Sequence, residues 1–140
     1  MLLNRNLRVV VADDDETNLY ILMKIMRDAG YNTKGFDGGV AAWKYLEKNA
    51  DKVDLVILDK MMYDMSGLEV IKRMKSHPTL QYTPVMLQSG DTDVNEGLEA
   101  GADRYLMKPY KGEDLVQVVH ELTEVSYGVQ ESFLQPQACY

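Results

Sequence analysis

The sequence has almost no cysteine. Its only one, Cys139, lies next to the C-terminal residue, so no disulfide can form within the chain. Chains without disulfides are typical of reducing compartments, so we expect the cytoplasm. The sequence also lacks any apolar run long enough to cross a bilayer. Residues 1–8 carry charges but no apolar stretch followed by small residues, which argues against a secretory signal.

Positive charge is scarce as well. The chain carries 15 lysines and arginines against 22 aspartates and glutamates, which gives a formal net charge of −7 at pH 7. Binding to nucleic acid depends on basic side chains that replace the counterions of the phosphates, and the sequence contains no basic stripe. The balance therefore argues against direct nucleic-acid binding by this segment.

No internal repeat, low-complexity tract or mid-chain linker divides the sequence. Its 140 residues suit one domain that buries a core without metal or disulfide support. The composition changes only over residues 126–140, where helical periodicity fades and glutamine, serine, glycine and Pro136 enter. We therefore expect one folded domain over residues 1–125. Residues 126–140 are expected to form a tail or the start of a linker to an absent output domain.

One stretch, from Asp54 to Gly67, organises the rest. Its branched apolar residues, Leu55 to Leu58, end abruptly on Asp59, as in a strand that is buried on both faces of a parallel sheet. In open α/β sheets ligands bind at the carboxyl ends of the strands. Asp59 is therefore predicted to lie where chemistry is usually done.

Strand-like and helix-like spacing of apolar residues alternates along the whole chain. The predicted strands cover residues 8–12, about 32–36, 55–58, 84–88 and 105–107. The first predicted helix opens within residues 13–17 and ends at Gly30, the second follows Gly38 and Gly39, and the third follows Gly67 and stops before Pro78. The fourth and fifth cover residues 91–100 and about 112–125. Five strands alternating with five helices indicate parallel strands joined by right-handed crossovers, in a three-layer α/β sandwich.

Polar residues follow four of these strands. Asp13 and Asp14 follow the first strand and Asp59 ends the third, while Ser89 and Lys108 follow the fourth and fifth. Three crowded carboxylates repel one another unless a hard cation lies between them, and Mg²⁺ fits this set best. A lysine and a hydroxyl beside them would stabilise a phosphoryl group arriving on a carboxylate nucleophile. The pattern predicts aspartyl-phosphate chemistry at Asp59.

Each of these residues also has a purely structural explanation. Acids such as Asp13 and Asp14 can cap a helix, although three acids in a row are more than a cap requires, and Asp15 can be the cap itself. Asp59 and Ser89 can be turn residues. A lysine before a proline is usually solvated.

The ordered set of motifs resembles the receiver domain of two-component response regulators, chemotaxis regulators among them, from about Asn6 to Val125. The matching segments are VVADDDETN at 10–18, LVILDKMM at 55–62, DMSGLE at 64–69, TPVMLQSG at 83–90 and GADRYLMKPY at 101–110. The resemblance implies a flavodoxin-like, five-stranded parallel sheet in the order 2-1-3-4-5 with five helices.

The resemblance also implies a chemistry. Asp59 would accept a phosphoryl group from a histidine kinase or a histidine phosphotransfer protein. Mg²⁺ would be held by Asp14 directly, by Asp13 mainly through water, by Asp59 and by the backbone carbonyl of Met61. Such a domain is a signalling switch and not an enzyme, apart from its own phosphorylation and dephosphorylation.

Three further residues take roles by resemblance. Ser89 would bind a phosphoryl oxygen, and Lys108 would pair with the phosphoryl charge and join Pro109 through a cis peptide bond. Movement of Ser89 would let Tyr105 swing inward and reshape the face of the fourth helix, fifth strand and fifth helix, through which a homodimer could form. The sequence has no kinase histidine motif, so the phosphodonor is expected to be another protein.

The sequence departs from the family at three positions. Tyr63 stands where proline is usual, so the loop after Asp59 is expected to be less rigid or to present an aromatic ring to a partner. Gln88 replaces an apolar residue, and Gly90 replaces alanine. Glycine beside Ser89 loosens the backbone and puts the coupling of Ser89 to the rest of the switch in question.

Other function classes fit less well. An interaction-only pseudo-receiver usually loses an acid or the lysine, and all are present here. A phosphohydrolase with an aspartate nucleophile needs a second acid two residues later, where this chain has Met61. A flavodoxin needs a phosphate-binding loop after the first strand, where the acidic run would repel the phosphate.

Overall fold

The computed structural model describes residues 6–126, and for residues 125 and 126 only the backbone. The five strands are β1 (Arg8–Ala12), β2 (Asn32–Phe36), β3 (Leu55–Asp59), β4 (Val85–Ser89) and β5 (Arg104–Met107). The five helices are α1 (Glu16–Asp28), α2 (Gly39–Lys48), α3 (Gly67–Lys75), α4 (Val94–Ala100) and α5 (Gly112–Ser126). Two short 3₁₀ turns cover Ala50–Lys52 and Leu80–Tyr82. The predicted tail lies outside the described residues, apart from Ser126.

All strands pair in parallel, and the sheet order is β2-β1-β3-β4-β5. The predicted fold and strand order are therefore confirmed. The central strand β3 is buried along its whole length, because helices cover both faces of the sheet. β1 and β3 are neighbours in register, with Ala12 opposite Leu58, so the residues that follow them meet at one edge.

The core is divided by the sheet into two layers. Val10 and Leu58 belong to the layer that packs against α2 and α3, and Val9 and Ile57 belong to the layer that packs against α1 and α5. Successive side chains of a strand point to opposite faces, so one apolar run supplies both layers. This explains why the strands contain consecutive apolar residues.

Side-chain caps fix where three helices begin. Asp15 accepts a hydrogen bond from the backbone N–H of Asn18 and begins α1, as the structural explanation of that acid predicted. Ser66 and Asp93 begin α3 and α4 in the same way. Such a cap stabilises a helix by about 1 kcal/mol. The prediction that α4 starts at Asp91 was wrong, because Asp93 is the cap and residues 91–93 form a loop.

A glycine brings α3 close to the end of β3. A Cβ atom built on Gly67 would lie 2.4 Å from the backbone oxygen of Asp59, which no side chain could tolerate. The Gly67 N–H also donates to the carbonyl oxygen of Lys60 at 2.9 Å. The helix start and the strand end are thus held in contact, and this contact fixes the backbone of Asp59.

Over residues 6–126, none of the helices has both the length and the apolar character that a bilayer span requires.

Candidate phosphoacceptor site

Three carboxylates meet at the carboxyl edge of the sheet. Asp13 and Asp14 follow β1, and Asp59 is the last residue of β3. One carboxylate oxygen from each lies within 4.8 Å of the others. Asp13 and Asp59 are buried, so bulk water screens their repulsion poorly. The three acids named from the sequence are therefore brought together, and their oxygen ligands are of the kind that Mg²⁺ prefers.

Lys108 lies beside two of these acids. Its Nζ atom is 3.2 Å from Asp59 Oδ1 and 3.3 Å from Asp13 Oδ2. Burial works against the charged form of Lys108, but the charges of Asp59 and Asp13 outweigh it and raise its pKa. Lys108 therefore stays protonated at neutral pH. The peptide bond from Lys108 to Pro109 is cis, as expected.

The electrostatics of Asp59 follow from this crowding. Burial raises the pKa of the Asp59 carboxyl to about 6, and the charge of Asp13 adds to the effect while Lys108 opposes it. At neutral pH the ionised form is still in excess, but it is held at a cost in free energy. A carboxylate held in this way favours a cation that neutralises part of its charge.

Ser89 lies at the end of β4, next to β3 in the sheet. Its side chain is buried, and Oγ accepts a hydrogen bond from the backbone N–H of Asp91 at 3.0 Å. The Ser89 hydroxyl proton is left available for a group bound at the carboxylates. The Ser89 carbonyl oxygen accepts from the N–H of Lys108 at 2.8 Å, so the backbones of the two residues are joined directly.

Tyr105, predicted to switch, is fully buried on β5. Its hydroxyl donates to the carbonyl oxygen of Asp91 at 2.8 Å. The ring packs against the backbone of α4, where a Cβ atom on Gly97 would lie 2.8 Å from Tyr105 Cδ2. The structure thus has the tyrosine in its inward position.

The loop after β3 holds two exposed apolar side chains, Met61 at 64% exposure and Tyr63 at 89%. The exposure of Tyr63 agrees with the expectation that it presents an aromatic ring. Its backbone N–H donates to Asp14 Oδ2 at 3.0 Å. Proline at this position would have no N–H. The departure from the family therefore gives Asp14 a hydrogen-bond donor.

A buried polar chain leaves the site on the α1 and α5 side. Gln88 Nε2 lies 3.5 Å from Asp13 Oδ2, and the Tyr110 hydroxyl donates to Gln88 Oε1. Burial raises the pKa of Tyr110 to about 12, and the charges of Asp13 and Asp59 add to the effect. Sequence reasoning noted Gln88 as a departure but missed Tyr110, whose only signal is its place two residues after Lys108.

Lys60 is the other residue that sequence reasoning missed. It follows Asp59 directly, and its side chain is buried under the loop between β4 and α4. Its Nζ atom lies 2.8 Å from Asp91 Oδ2 and 2.7 Å from Glu96 Oε1. The available signal was a lysine placed between Asp59 and the apolar pair Met61 and Met62.

A cleft of about 430 Å³ opens beside the site, between α1 and the loop after β5. Ile21, Ile25 and Pro109 form its apolar walls, and Lys108 and Gln88 lie at its polar end. Ile21 is half exposed. The acids can therefore be approached across an apolar surface.

Comparisons with known proteins agree on one family. Residues 9–120 match the model of the response regulator receiver domain. The chain is 34% identical over 106 residues to the 3',5'-cyclic-nucleotide phosphodiesterase regA of Dictyostelium discoideum, a match that covers 73% of this chain and 13% of that protein. It is 28% identical over 127 residues to the chemotaxis protein CheY-3 of Vibrio cholerae, covering 88% of this chain and 96% of that one.

Other relatives and solved structures agree. The chain is 32% identical over 109 residues to the DNA-binding response regulator MtrA of Mycobacterium tuberculosis, covering 78% of this chain and 47% of that protein. A crystal structure of a putative response regulator from Chloroflexus aurantiacus superposes with a TM-score of 0.79 at 30% identity, covering 85% and 98% of the two chains. The chain therefore belongs to the response regulator receiver domain family, whose members are signalling switches of two-component systems.

Proposed function

We propose that this domain accepts a phosphoryl group on Asp59, from a histidine kinase or a histidine phosphotransfer protein, in a Mg²⁺-dependent reaction. One observation carries the proposal. The buried Asp59 carboxylate lies 3.2 Å from the Lys108 ammonium and shares its pocket with Asp13 and Asp14. A nucleophile, a positive charge and an acidic ligand set in one pocket are what phosphoryl transfer requires.

Receiver domains of response regulators interact with histidine kinases or phosphotransfer proteins, and they bind Mg²⁺ at an acidic pocket. In this chain Asp13, Asp14, Asp59 and the carbonyl oxygen of Met61 would hold the ion. When bound, Mg²⁺ supplies positive charge that neutralises the acids and the phosphoryl oxygens. The oxygen-only donor set fits this hard cation.

The chain's own residues account for the transfer step. An Asp59 carboxylate oxygen attacks phosphorus, a P–O bond forms, and the P–N bond to the donor imidazole breaks with its electron pair left on nitrogen. Lys108 stabilises the charge on the phosphoryl oxygens, and the Ser89 hydroxyl donates to one of them. Tyr105, hydrogen-bonded to the loop after Ser89, carries the change to the face formed by α4, β5 and α5.

The donor must reach Asp59 across the surface around it. Ile21, Met61 and Tyr63 expose apolar side chains there, next to the apolar cleft beside Pro109. A helix that presents a phosphohistidine can bury these groups while the phosphoryl group meets Asp59. The homodimer through α4, β5 and α5, the absence of nucleic-acid binding and the domain limits at residues 1–125 stay predictions.

The test uses a small phosphodonor. Acetyl phosphate with Mg²⁺ should add one phosphoryl mass to the intact chain, and beryllofluoride should shift the amide signals around Asp59. Asp59→Asn is the matched control and should show neither change. A wild-type chain that behaves like Asp59→Asn would contradict the proposal and favour the pseudo-receiver, a folded interaction module without phosphorylation.

A further inference from the structure

The side chain of Lys60 is only 1% exposed, whereas its partners Asp91 and Glu96 are 41% and 51% exposed. Burial alone would lower the pKa of Lys60, but the hydrogen bonds to the two carboxylates outweigh it and the pKa is raised. A buried ammonium without partners is strongly unfavourable. Lys60 therefore holds the loop and the first turn of α4 against the end of β3.

Asp91 is the residue through which this restraint reaches the site. Its side chain binds Lys60, its backbone N–H donates to Ser89 Oγ, and its carbonyl oxygen accepts from the Tyr105 hydroxyl. The same carboxylate also accepts from the N–H of Asp93 at 2.8 Å. One residue thus connects the lysine beside the phosphoacceptor to both predicted switch residues.

Gly90 lies within the segment that Lys60 restrains. A Cβ atom built on Gly90 would meet nothing within 4 Å, so a side chain at that position would have no packing partner. Glycine also has more backbone freedom than any other residue. Without Lys60, the Asp91 side chain would lose its ion pair, and the segment from Ser89 to Asp93 would be held by its local hydrogen bonds and the bond from Tyr105.

We infer that Lys60 is a positioning residue for phosphoryl transfer and switching, acting through Asp91. By holding Asp91, it orients the Ser89 hydroxyl toward the phosphoryl site and keeps Tyr105 inward before any phosphoryl group arrives. The inference rests on the proposed function of Asp59. It also gives the loosened backbone at Gly90 a compensating contact.

The central variant is Lys60→Met, which keeps the length of the side chain and removes its charge. We expect phosphorylation by acetyl phosphate to slow about tenfold, because the Ser89 hydroxyl is no longer held in position. Mg²⁺ affinity from calorimetry should stay within about twofold of wild type, because the metal-binding acids keep their own contacts. Lys44→Met, at an exposed position on α2, is the matched control and should change neither quantity.

Amide NMR spectra distinguish the loss of the contact between Lys60 and Asp91 from a general loss of stability. In Lys60→Met the signals of Ser89, Asp91 and Tyr105 should move in the free protein and return toward wild-type positions with beryllofluoride and Mg²⁺. Asp91→Asn should reproduce part of the effect. In the double variant the loss of rate should be smaller than the product of the two single losses, because both changes break one connection.

The outcomes separate the inference from the function on which it rests. A folded Lys60→Met chain with wild-type rate and unchanged Ser89 and Tyr105 signals would overturn the positioning role. If the wild type is not phosphorylated while Lys60→Met still shifts those signals, the proposed function fails and the role of Lys60 in phosphoryl transfer falls with it, and only the structural restraint on Ser89 and Tyr105 stands. If Lys60→Met does not fold, Asp91→Asn serves in its place, and wild-type behaviour of that variant overturns the inference.

Discussion

Two lysines flank Asp59, and their surroundings are opposite. Lys108 is 26% exposed and faces two nearly buried acids, Asp13 and Asp59. Lys60 is buried and faces two acids that are half exposed. Buried acids with a partly exposed lysine form a pocket that an incoming cation or phosphoryl group can enter. A buried lysine with exposed acids forms a fixed contact that nothing needs to enter.

The contrast indicates that the exposure of each partner in an ion pair decides whether the pair can bind a ligand or only holds the structure. Beside Lys108 the buried charge is that of Asp59, and its raised pKa indicates that the ionised form is unfavourable there. A bound cation would therefore stabilise this pocket. The buried ammonium of Lys60 is already paired with two carboxylates, so these contacts hold the structure in place and leave no charge for a ligand to neutralise.

The largest effect is expected from Lys108→Met. Removing the ammonium should slow phosphorylation by acetyl phosphate about 100-fold at saturating Mg²⁺, because the phosphoryl charge loses its preorganised partner. Mg²⁺ should bind more tightly, because three acids are left without a lysine. Mass-spectrometric time courses and calorimetry measure the two quantities, with Lys111→Met, at an exposed position, as the control. A phosphorylation rate close to that of wild type would mean that Lys108, like Lys60, is not needed directly for the reaction.

The second effect separates two adjacent acids. Asp14→Ala should weaken Mg²⁺ binding at least about tenfold, because Asp14 belongs to the carboxylate cluster. Asp15→Ala should leave Mg²⁺ affinity nearly unchanged and cost about 1 kcal/mol of stability, because Asp15 caps α1. Calorimetric titration and urea denaturation distinguish the two. Equal losses of Mg²⁺ affinity would mean that the acidic run is assigned incorrectly.

The third effect tests the buried charge of Asp59 through pH. Its folded pKa is raised from 3.8 to about 6, so the folded state binds more protons and loses stability as pH rises from about 4 through 6. In metal-free buffer, Asp59→Asn should therefore be more stable than wild type by about 1–2 kcal/mol near pH 8, with the gain absent near pH 4. Urea denaturation at both pH values measures it. A gain of equal size at both would assign the effect to packing and not to charge.

The smallest effect is expected on the Lys60 side. Glu96→Gln should cost less than about 1 kcal/mol, because the lost charge is half exposed and Asp91 still pairs with the lysine. Thermal unfolding measures the change, and Glu99→Gln, exposed on the same helix, is the control. A loss of several kcal/mol would show that Glu96 carries the pairing and that Asp91 does not.

Most of the fold could be predicted from the sequence, because strand and helix periods alternate without interruption. The meeting of Asp13, Asp59 and Lys108 at one edge follows from parallel strands, whose carboxyl ends lie together. The start of α4 could not be placed, because Asp91 and Asp93 are equally plausible caps. Their roles differ through Lys60, which draws Asp91 away from the helix.

Lys60 and Tyr110 could not be found from the sequence for the same physical reason. Lys60 is buried by groups that lie 31 or more residues away in the sequence, and no local sequence pattern predicts an ion pair over that separation. The bond from Tyr110 to Gln88 likewise spans 22 residues. Local periodicity predicts which face of an element is apolar. It does not predict which polar groups are satisfied across the core.

The loop from Lys60 to Gly67 has a fixed base and an exposed tip. Its ends are joined by a hydrogen bond, and Gly67 presses against the backbone of Asp59, so the base of the loop is fixed whatever its tip contains. Met61 and Tyr63 project from that tip into solvent. The side chains of the tip can therefore be exchanged, in related proteins or by design, while the Asp59 carboxylate stays where it is.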